Sequence, residues 1–270
     1  MKALLIIACL FSSPLVFAFD LHNAYQSPIK VGAKDREGWL SLWADDATVQ
    51  DPVGGMTHGI DGHTLGKFWD TFISGRDIRF DVKKDYLLGN ALVRDVIITT
   101  DTHGLVVEVP AILRYRVNAA GMIISMEAFW EIIESSKPLL TGGTSAISLL
   151  SDFTYRLAKN QGLDGLMSMT GSYLTRGLSK RKERTRTLLQ NLAKGEKPER
   201  LNLAITPAMP PEFLASHFID AKITGDMIAA GKFVTFKYTN QDQTSVGILE
   251  FKDDGAMELS IYHKQIPRNT

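Results

Sequence analysis

Cysteine is nearly absent from this chain. Among its 270 residues only Cys9 is a cysteine, and it lies within an apolar run close to the N-terminus. One cysteine cannot form a disulfide within the chain, nor can it supply the several thiolates of a structural zinc site. If the N-terminal run is removed, no thiol remains, and a cysteine nucleophile is excluded as well.

An excess of charge of one sign is also lacking. Thirty basic residues balance thirty acidic ones, so no global field draws the protein to nucleic acid or to an anionic membrane. The sequence also lacks a glycine-rich phosphate loop, a nucleophile elbow and the spacing of a zinc site. We therefore predict no nucleic-acid partner, no cofactor and no metal.

Only one long apolar run is present. Lys2 precedes ALLIIACLFSSPLVF, and the small-residue pattern at Val16, Phe17 and Ala18 is typical of a cleavage site. The run is shorter than the roughly 20 residues of a membrane-spanning helix. We predict a signal peptide at 1–18, export to the periplasm or the exterior, and no transmembrane segment in the mature chain. An N-terminal membrane anchor is the alternative.

Over the next hundred residues, the spacing of apolar side chains changes from that of helices to that of strands. Apolar spacing predicts helices over 21–45 and 62–73. Alternating β-branched and aromatic residues then predict strands at Arg79–Tyr86, Ala91–Thr100, Leu105–Val117 and Met122–Ile132. Helices followed by a long meander predict an α+β domain at 19–135, with helices covering one face of a curved antiparallel sheet.

The second half repeats this order. A linker rich in Ser, Gly and Pro at 135–143 precedes helical composition up to about residue 203 and a Pro-rich stretch at 206–211. Four strands are predicted after it, at 221–228, 233–238, 245–251 and 257–263. We predict a second, degenerate copy of the first fold within 136–270. Two unrelated domains that share an antiparallel architecture are the alternative.

The segment LWADDATVQDPVG at 42–54 resembles the signature of ketosteroid isomerase. That enzyme and the SnoaL-like proteins lie within the larger superfamily similar to nuclear transport factor 2. The segment HGIDGHTLGKFWD and the strands VRDVIITT, VPAILRYRV and NAAGMIISMEAFW extend the resemblance over about residues 21–132. The resemblance implies a cone-shaped α+β domain with an internal cavity.

The same resemblance assigns two catalytic residues. Asp51 matches the carboxylate base that moves a proton alpha to a carbonyl, and Tyr25 matches a tyrosine that stabilises the oxyanion. A residue beside a Pro turn can enter a cavity without losing a ladder hydrogen bond, and burial would raise the pKa of its carboxyl group. The alternatives are an Asp51 that caps its own turn and a Tyr25 that only packs on the first helix.

The second, acidic oxyanion donor of ketosteroid isomerase corresponds to Leu113. Period-two alternation places Leu113 on the inward face of its strand, where a leucine cannot donate a hydrogen bond. Losing one such donor raises the free energy of the transition state by on the order of 3 kcal/mol. Tyr115, Trp69 and Trp130 are candidate replacements, although each is also expected as a wall residue. The predicted substrate-binding walls are Trp69, Ala111, Leu113, Tyr115 and Trp130.

His58 and His63 flank a glycine turn at 59–62, which contains Asp61. Three such residues in a turn without further ligands make a weak metal site, and we predict none.

The sequence is consistent with three functions. The first is an exported enzyme that shifts a double bond in a steroid or a similar hydrophobic enone. The second is a non-catalytic binder of a hydrophobic small molecule in the same cavity. The third is an interaction protein whose two domains form an internal pseudo-dimer or a homodimer, with the basic region Arg176–Arg200 as contact surface.

Overall fold

The computed structural model describes residues 19–60, 62–102, 105–131, 148, 151–152, 154–162, 178–208, 211–241 and 243–264. The predicted signal peptide at 1–18 and the predicted linker at 135–143 lie outside the described residues. In the part of the chain that the structure describes, no helix is both long and apolar enough to cross a bilayer.

Short helices and a long meander form the first half. The helices are α1 (His22–Gly32), α2 (Arg36–Leu40) and α3 (Leu65–Phe68), and a π-helical turn at Trp69–Ile73 continues α3. The strands are β1 (Trp43–Gln50), β2 (Thr57–His58), β3 (Asp77–Leu88), β4 (Ala91–Thr102), β5 (Leu105–Val117) and β6 (Ile123–Phe129). The predicted α+β class is confirmed.

The first half's sheet is open and curved. Its strand order is β2-β1-β6-β5-β4-β3, in which β1 runs parallel to β6 and all other neighbours are antiparallel. Helix α1 packs on β3 and β5, on the face that carries Leu113 and Tyr115. We call this the inner face and the opposite one the outer face.

The first helix ends earlier than the sequence predicts. Lys34 adopts a φ of 58°, in the left-handed region, which breaks the predicted helix over 21–45. Asp35 then starts α2 by accepting a hydrogen bond from the Gly38 amide at 2.9 Å. Trp39 and Trp43 show helical spacing because both reach the same core, where their ring centroids are 4.8 Å apart, and not because they share a helix.

The second half has a similar order of elements. After a helical segment at 154–162, its helices are α4 (Leu178–Ala193) and α5 (Pro211–Ile219), with a 3-10 turn at Pro198–Leu201. Its strands are β7 (Leu203–Thr206), β8 (Lys222–Ile223), β9 (Ile228–Ala230), β10 (Phe233–Asn240), β11 (Gln243–Phe251) and β12 (Met257–Lys264). The Pro-rich stretch thus precedes a helix, since proline is tolerated at the first helical position.

The strand connectivity of the second half parallels that of the first. Strand β7 runs parallel to β12, as β1 runs parallel to β6 in the first half. From β12 the sheet continues through β11 to β10 with antiparallel pairing. Strands β12 and β3 also pair over two residues, which joins the halves into one sheet. Duplication of a single fold stays a prediction.

Each half has its own core on the inner face of its strands. In the first core, β5 contributes Ala111, Leu113, Tyr115 and Val117, as the period-two alternation predicts. In the second, the apolar side of α4 packs on β10 to β12. The basic residues of α4 therefore lie on a helix that is held by its apolar side within the second half.

The outer faces of the two halves pack against each other. Val53, Tyr86, Ala91, Val93, Ile112 and Phe129 meet Ala230, Phe233, Val246, Ile248 and Tyr262 in one apolar cluster. Arg114 lies in this contact with 4% exposure. Its guanidinium donates to both carboxylate oxygens of Glu127, at 2.7 and 2.8 Å, and to the Tyr262 hydroxyl at 3.3 Å. A buried guanidinium with a hydrogen bond from each of its three nitrogens therefore ties the two halves together.

Arg114 and Arg116 share the carboxylate of Glu127, yet we predict that replacing them with alanine lowers the free energy of unfolding by unequal amounts. Arg114→Ala should lower the free energy of unfolding by about 3 kcal/mol or more, because it leaves Glu127 without its buried partner. Arg116 also pairs with Glu127, at 3.0 Å, but its side chain is 37% exposed, and Arg116→Ala should cost less than about 1 kcal/mol. Urea denaturation of the two variants measures the difference, and equal losses would contradict it.

Candidate functional site

Asp51 directly follows the last paired residue of β1. Because Gln50 pairs with Glu127 of β6, the register places Asp51 level with Ala128, a residue of the first core. The Val53 amide donates to the Ala128 carbonyl at 2.9 Å, which fixes the loop after Asp51 against β6. Alternation along the strand directs Asp51 to the inner face.

The second half supports the same loop from the other side. Gly54 has a φ of 90°, and a Cβ at this position would lie 2.5 Å from the Cα of Gly231, between β9 and β10. Only glycine permits both that conformation and that approach of two backbones. The loop is thus held between β6 of the first half and a turn of the second.

Among the described residues, one side chain hydrogen-bonds to the Asp51 carboxyl group. The indole Nε1 of Trp130 donates to its Oδ1 at 2.7 Å. Burial raises the pKa of Asp51 to about 6, and the indole hydrogen bond, which favours the charged form, opposes that rise. The residue as a whole keeps partial solvent contact. The result is a carboxylate that is more basic than usual and oriented by one donor.

Tyr115 lies on the inner face, two residues after Leu113 on β5. Its hydroxyl group is 3.5 Å from the Ser27 Oγ on α1, a long contact. Burial raises the pKa of Tyr115, and the charges of Arg94, Asp51 and Asp85 also act on it. The hydroxyl is therefore a protonated donor within electrostatic range of Asp51.

Tyr25 lies at the other end of the inner face. The guanidinium of Arg94 stands over its ring, 5.1 Å from the centroid. Burial and the charge of Asp85 raise the pKa of Tyr25, while Arg94 lowers it. The structure thus places Tyr25 beside the Arg94 and Asp85 pair, and its role as oxyanion donor stays a prediction.

Sequence reasoning missed the ion pair of Asp85 and Arg94. The two residues pair across β3 and β4, and Arg94 donates from Nε and Nη2 to the carboxylate at 2.8 and 3.2 Å. Alternation could have found them, because Arg94 falls on the same face as the core residues Leu92 and Val96. An arginine on an apolar face is the signal that was available.

The predicted wall residues lie in or against the first core. Trp69, Ala111, Leu113 and Tyr115 are buried, and Trp130 is half-buried. Leu113 faces inward, between Ala128 of β6 and Arg94 of β4. That these side chains bind a ligand stays a prediction.

The two histidines near the glycine turn lie in different environments. His58 is buried against Phe68 and Phe72, and burial lowers its pKa to about 4. His63 instead contacts Gln161 of the segment 154–162, with 3.0 Å between Nδ1 and Oε1. Asp61 lies outside the described residues. Within the described ranges, no three His, Cys, Asp or Glu side chains are placed to hold a metal ion.

Comparisons with solved structures give partial matches at low TM-scores. Δ5-3-ketosteroid isomerase from Mycobacterium sp. is 27% identical, with 43% of this chain and 95% of that chain covered and a TM-score of 0.39. A Mycobacterium tuberculosis protein in complex with estradiol-17beta-hemisuccinate is 27% identical, with 42% and 95% covered and a TM-score of 0.39. An epoxide hydrolase from M. tuberculosis is 15% identical, with 48% and 95% covered and a TM-score of 0.40.

No curated protein sequence matches the chain. The SnoaL-like domain family matches residues 29–126, a range that includes β1 to β5, part of β6, and Asp51. This match lies inside the range of about 21–132 over which the sequence resembles ketosteroid isomerase, and it confirms that prediction. Residues 29–126 of this chain are a SnoaL-like domain.

Proposed function

We propose that the first half is an enzyme that shifts a double bond by proton transfer alpha to a carbonyl, in a steroid or a similar hydrophobic enone. The observation that carries this proposal is the Asp51 carboxyl group, whose pKa of about 6 and hydrogen bond from Trp130 suit a proton shuttle. The steroid class follows from the resemblance of residues 42–54 to ketosteroid isomerase.

The reaction needs one base that acts twice. Ionised Asp51 removes a proton from the carbon alpha to the carbonyl, and the bonding electrons move into a dienolate. The same carboxyl group then returns the proton to the far carbon of the dienolate, so the double bond moves and no atom is gained or lost. A pKa near 6 leaves the group mostly ionised at neutral pH yet able to hold the proton between the two steps.

A donor must stabilise the dienolate oxygen, and Leu113 supplies none. Tyr115 lies on the same strand face as Leu113, and its hydroxyl is influenced by the charges of Arg94 and Asp51, whereas the charges that act on Tyr25 are those of Asp85 and Arg94. We propose Tyr115 as the near donor and retain Tyr25 as the candidate that the resemblance assigns. Trp130 is a positioning residue, since its indole acts through Asp51.

The alternative is a binder without catalysis. Leu113 and the buried apolar walls favour it, because they suit a hydrophobic ligand but leave the oxyanion with fewer donors. In both cases we propose internal pairing of the halves, since the second half covers the outer face of the first sheet. Export belongs to the proposal as well and depends on the leader-like segment at 1–18.

The first test is the pH dependence of isomerisation, followed by the absorbance of the conjugated product from a Δ5-3-ketosteroid. Asp51→Asn should abolish the reaction, and the wild-type rate should fall below about pH 6. Trp130→Phe removes a hydrogen bond that favours the ionised carboxylate, so the acid limb should move to higher pH. An acid limb that Trp130→Phe does not move would contradict this role of the indole.

The two tyrosines give a second test. Tyr115→Phe should lower kcat by about a hundredfold, the usual cost of one oxyanion donor, while Tyr25→Phe should lower it much less. Steady-state kinetics with the same ketosteroid separates them, and each variant keeps the ring that packs in the core. A larger loss for Tyr25→Phe would instead support Tyr25 as the donor.

A third test needs no substrate. The folded-state pKa of Asp51 is raised from 3.8 to about 6, so ionisation opposes folding as the pH rises through this range. Asp51→Asn should therefore increase the free energy of unfolding by about 2–3 kcal/mol at pH 8, at roughly 1.4 kcal/mol per pKa unit. The gain should vanish below about pH 4. Urea denaturation at several pH values measures it, and a variant less stable than wild type at pH 8 would contradict the burial of the charge.

A further inference from the structure

A cavity of about 300 Å³ lies between the outer faces of the two halves. The first half lines it with side chains of β4 and β5, and the second half lines it with residues of β9 and β10. Ile112 and Ile228 belong both to this lining and to the apolar cluster that joins the halves. Its volume is at the lower end of the range of about 300–1,000 Å³ that is typical of small-molecule sites.

The charged part of the lining is acidic. Asp95 accepts a hydrogen bond from the Lys237 Nζ at 2.8 Å, and Glu131 pairs with Lys182. Asp226, an exposed residue, adds a third carboxylate to the lining. Two lysines thus neutralise two of the three carboxylates, and one negative charge stays in excess.

The carboxylates also have oxygens outside these contacts. The lysine of β10 uses Oδ2 of Asp95, whereas the Ala229 amide and Lys182 both contact Oε1 of Glu131. The second oxygen of each carboxylate is therefore outside these contacts. An ionised carboxylate only accepts hydrogen bonds, so the lining can bind further donors.

An unpartnered hydroxyl group faces the same cavity. Thr235 lines the cavity, is 1% exposed, and shares the outer face of β10 with Lys237. Its Oγ1 is buried and has no hydrogen-bond partner among the described residues. A buried hydroxyl without a partner is unfavourable, and such groups are rare in folded proteins. A ligand that donates a hydrogen bond to this oxygen would remove the penalty.

We propose that the cavity binds a small organic cation, an ammonium group on a compact apolar body. An ammonium has three N–H donors and no acceptor, which suits an acidic lining that also holds the unpartnered Thr235 hydroxyl. The apolar body lies against Pro110, Ile112 and Ile228. An anion would meet two lysines that are already neutralised and one carboxylate in excess. The site is separate from Asp51, which lies on the inner face, and does not rest on the isomerase proposal.

Three probes of similar size test the inference by isothermal titration of the full chain at pH 7. They are 2-phenylethylamine, which is a cation at this pH, neutral 2-phenylethanol and anionic phenylacetate. The amine should bind at least about tenfold more tightly than the alcohol, the difference expected for charge-assisted hydrogen bonds. Phenylacetate should bind most weakly. Because both halves line the cavity, the bound amine should also raise the urea midpoint of the folded chain.

Two variants locate the amine in the cavity. Thr235→Val keeps the shape of the side chain, so affinity for the amine should fall about fivefold while the free energy of unfolding stays equal or rises. Asp226→Asn removes the excess charge and should reduce the preference for the amine over the alcohol to within about threefold. Thr239→Val is the matched control, since it makes the same substitution on the same face of β10 outside the lining. It should bind the amine as the wild type does.

Asp51→Asn separates this cavity from the first core, and it should retain the wild-type affinity for the amine. A marked loss of affinity in that variant would place the amine near Asp51 and overturn the inference. The inference is also wrong if the alcohol or phenylacetate binds as tightly as the amine, or if no probe binds. Wild-type amine affinity in a folded Thr235→Val or Asp226→Asn variant would contradict it as well.

Discussion

The loop that carries Asp51 is fixed from two directions, and the chemistry proposed for the first half depends on it. Inside, Trp130 donates to the carboxylate and β6 holds the Val53 amide. Outside, the backbone of Gly231 approaches Gly54 too closely for any Cβ. A carboxyl group buried at the end of a strand would otherwise turn towards water, because ionised groups are costly to bury. Both halves thus contribute to holding the charge in place.

This arrangement gives the second half a physical role. Its outer face covers that of the first sheet, and the guanidinium of Arg114 connects Glu127 to Tyr262 across the contact. The turn at Gly231 is therefore held at a set distance from the Asp51 loop. The second half thus supports the Asp51 loop through packing.

The sequence predicted which side chains face the first core better than it predicted the polar contacts among them. The strand alternation on β5 was sufficient to place Leu113 and Tyr115 inward, because a buried sheet face imposes a period of two. The Asp85 and Arg94 pair was missed because its partners are nine residues apart in sequence and meet only through the pairing of β3 with β4. The break of the first helix at Lys34 was missed because a left-handed lysine has no local sequence signal. The contact between Gly54 and Gly231 could not be foreseen, since it depends on how two halves pack.

The central claim is that burial keeps the Asp51 carboxyl group basic, and its protonation can be observed directly. NMR titration of the protein with 13C-labelled aspartate side chains, with the Asp51 signal assigned by its loss in Asp51→Asn, reports the pKa in the folded state. The account predicts a midpoint near 6. A midpoint near the ordinary aspartate value of about 3.9 would contradict it.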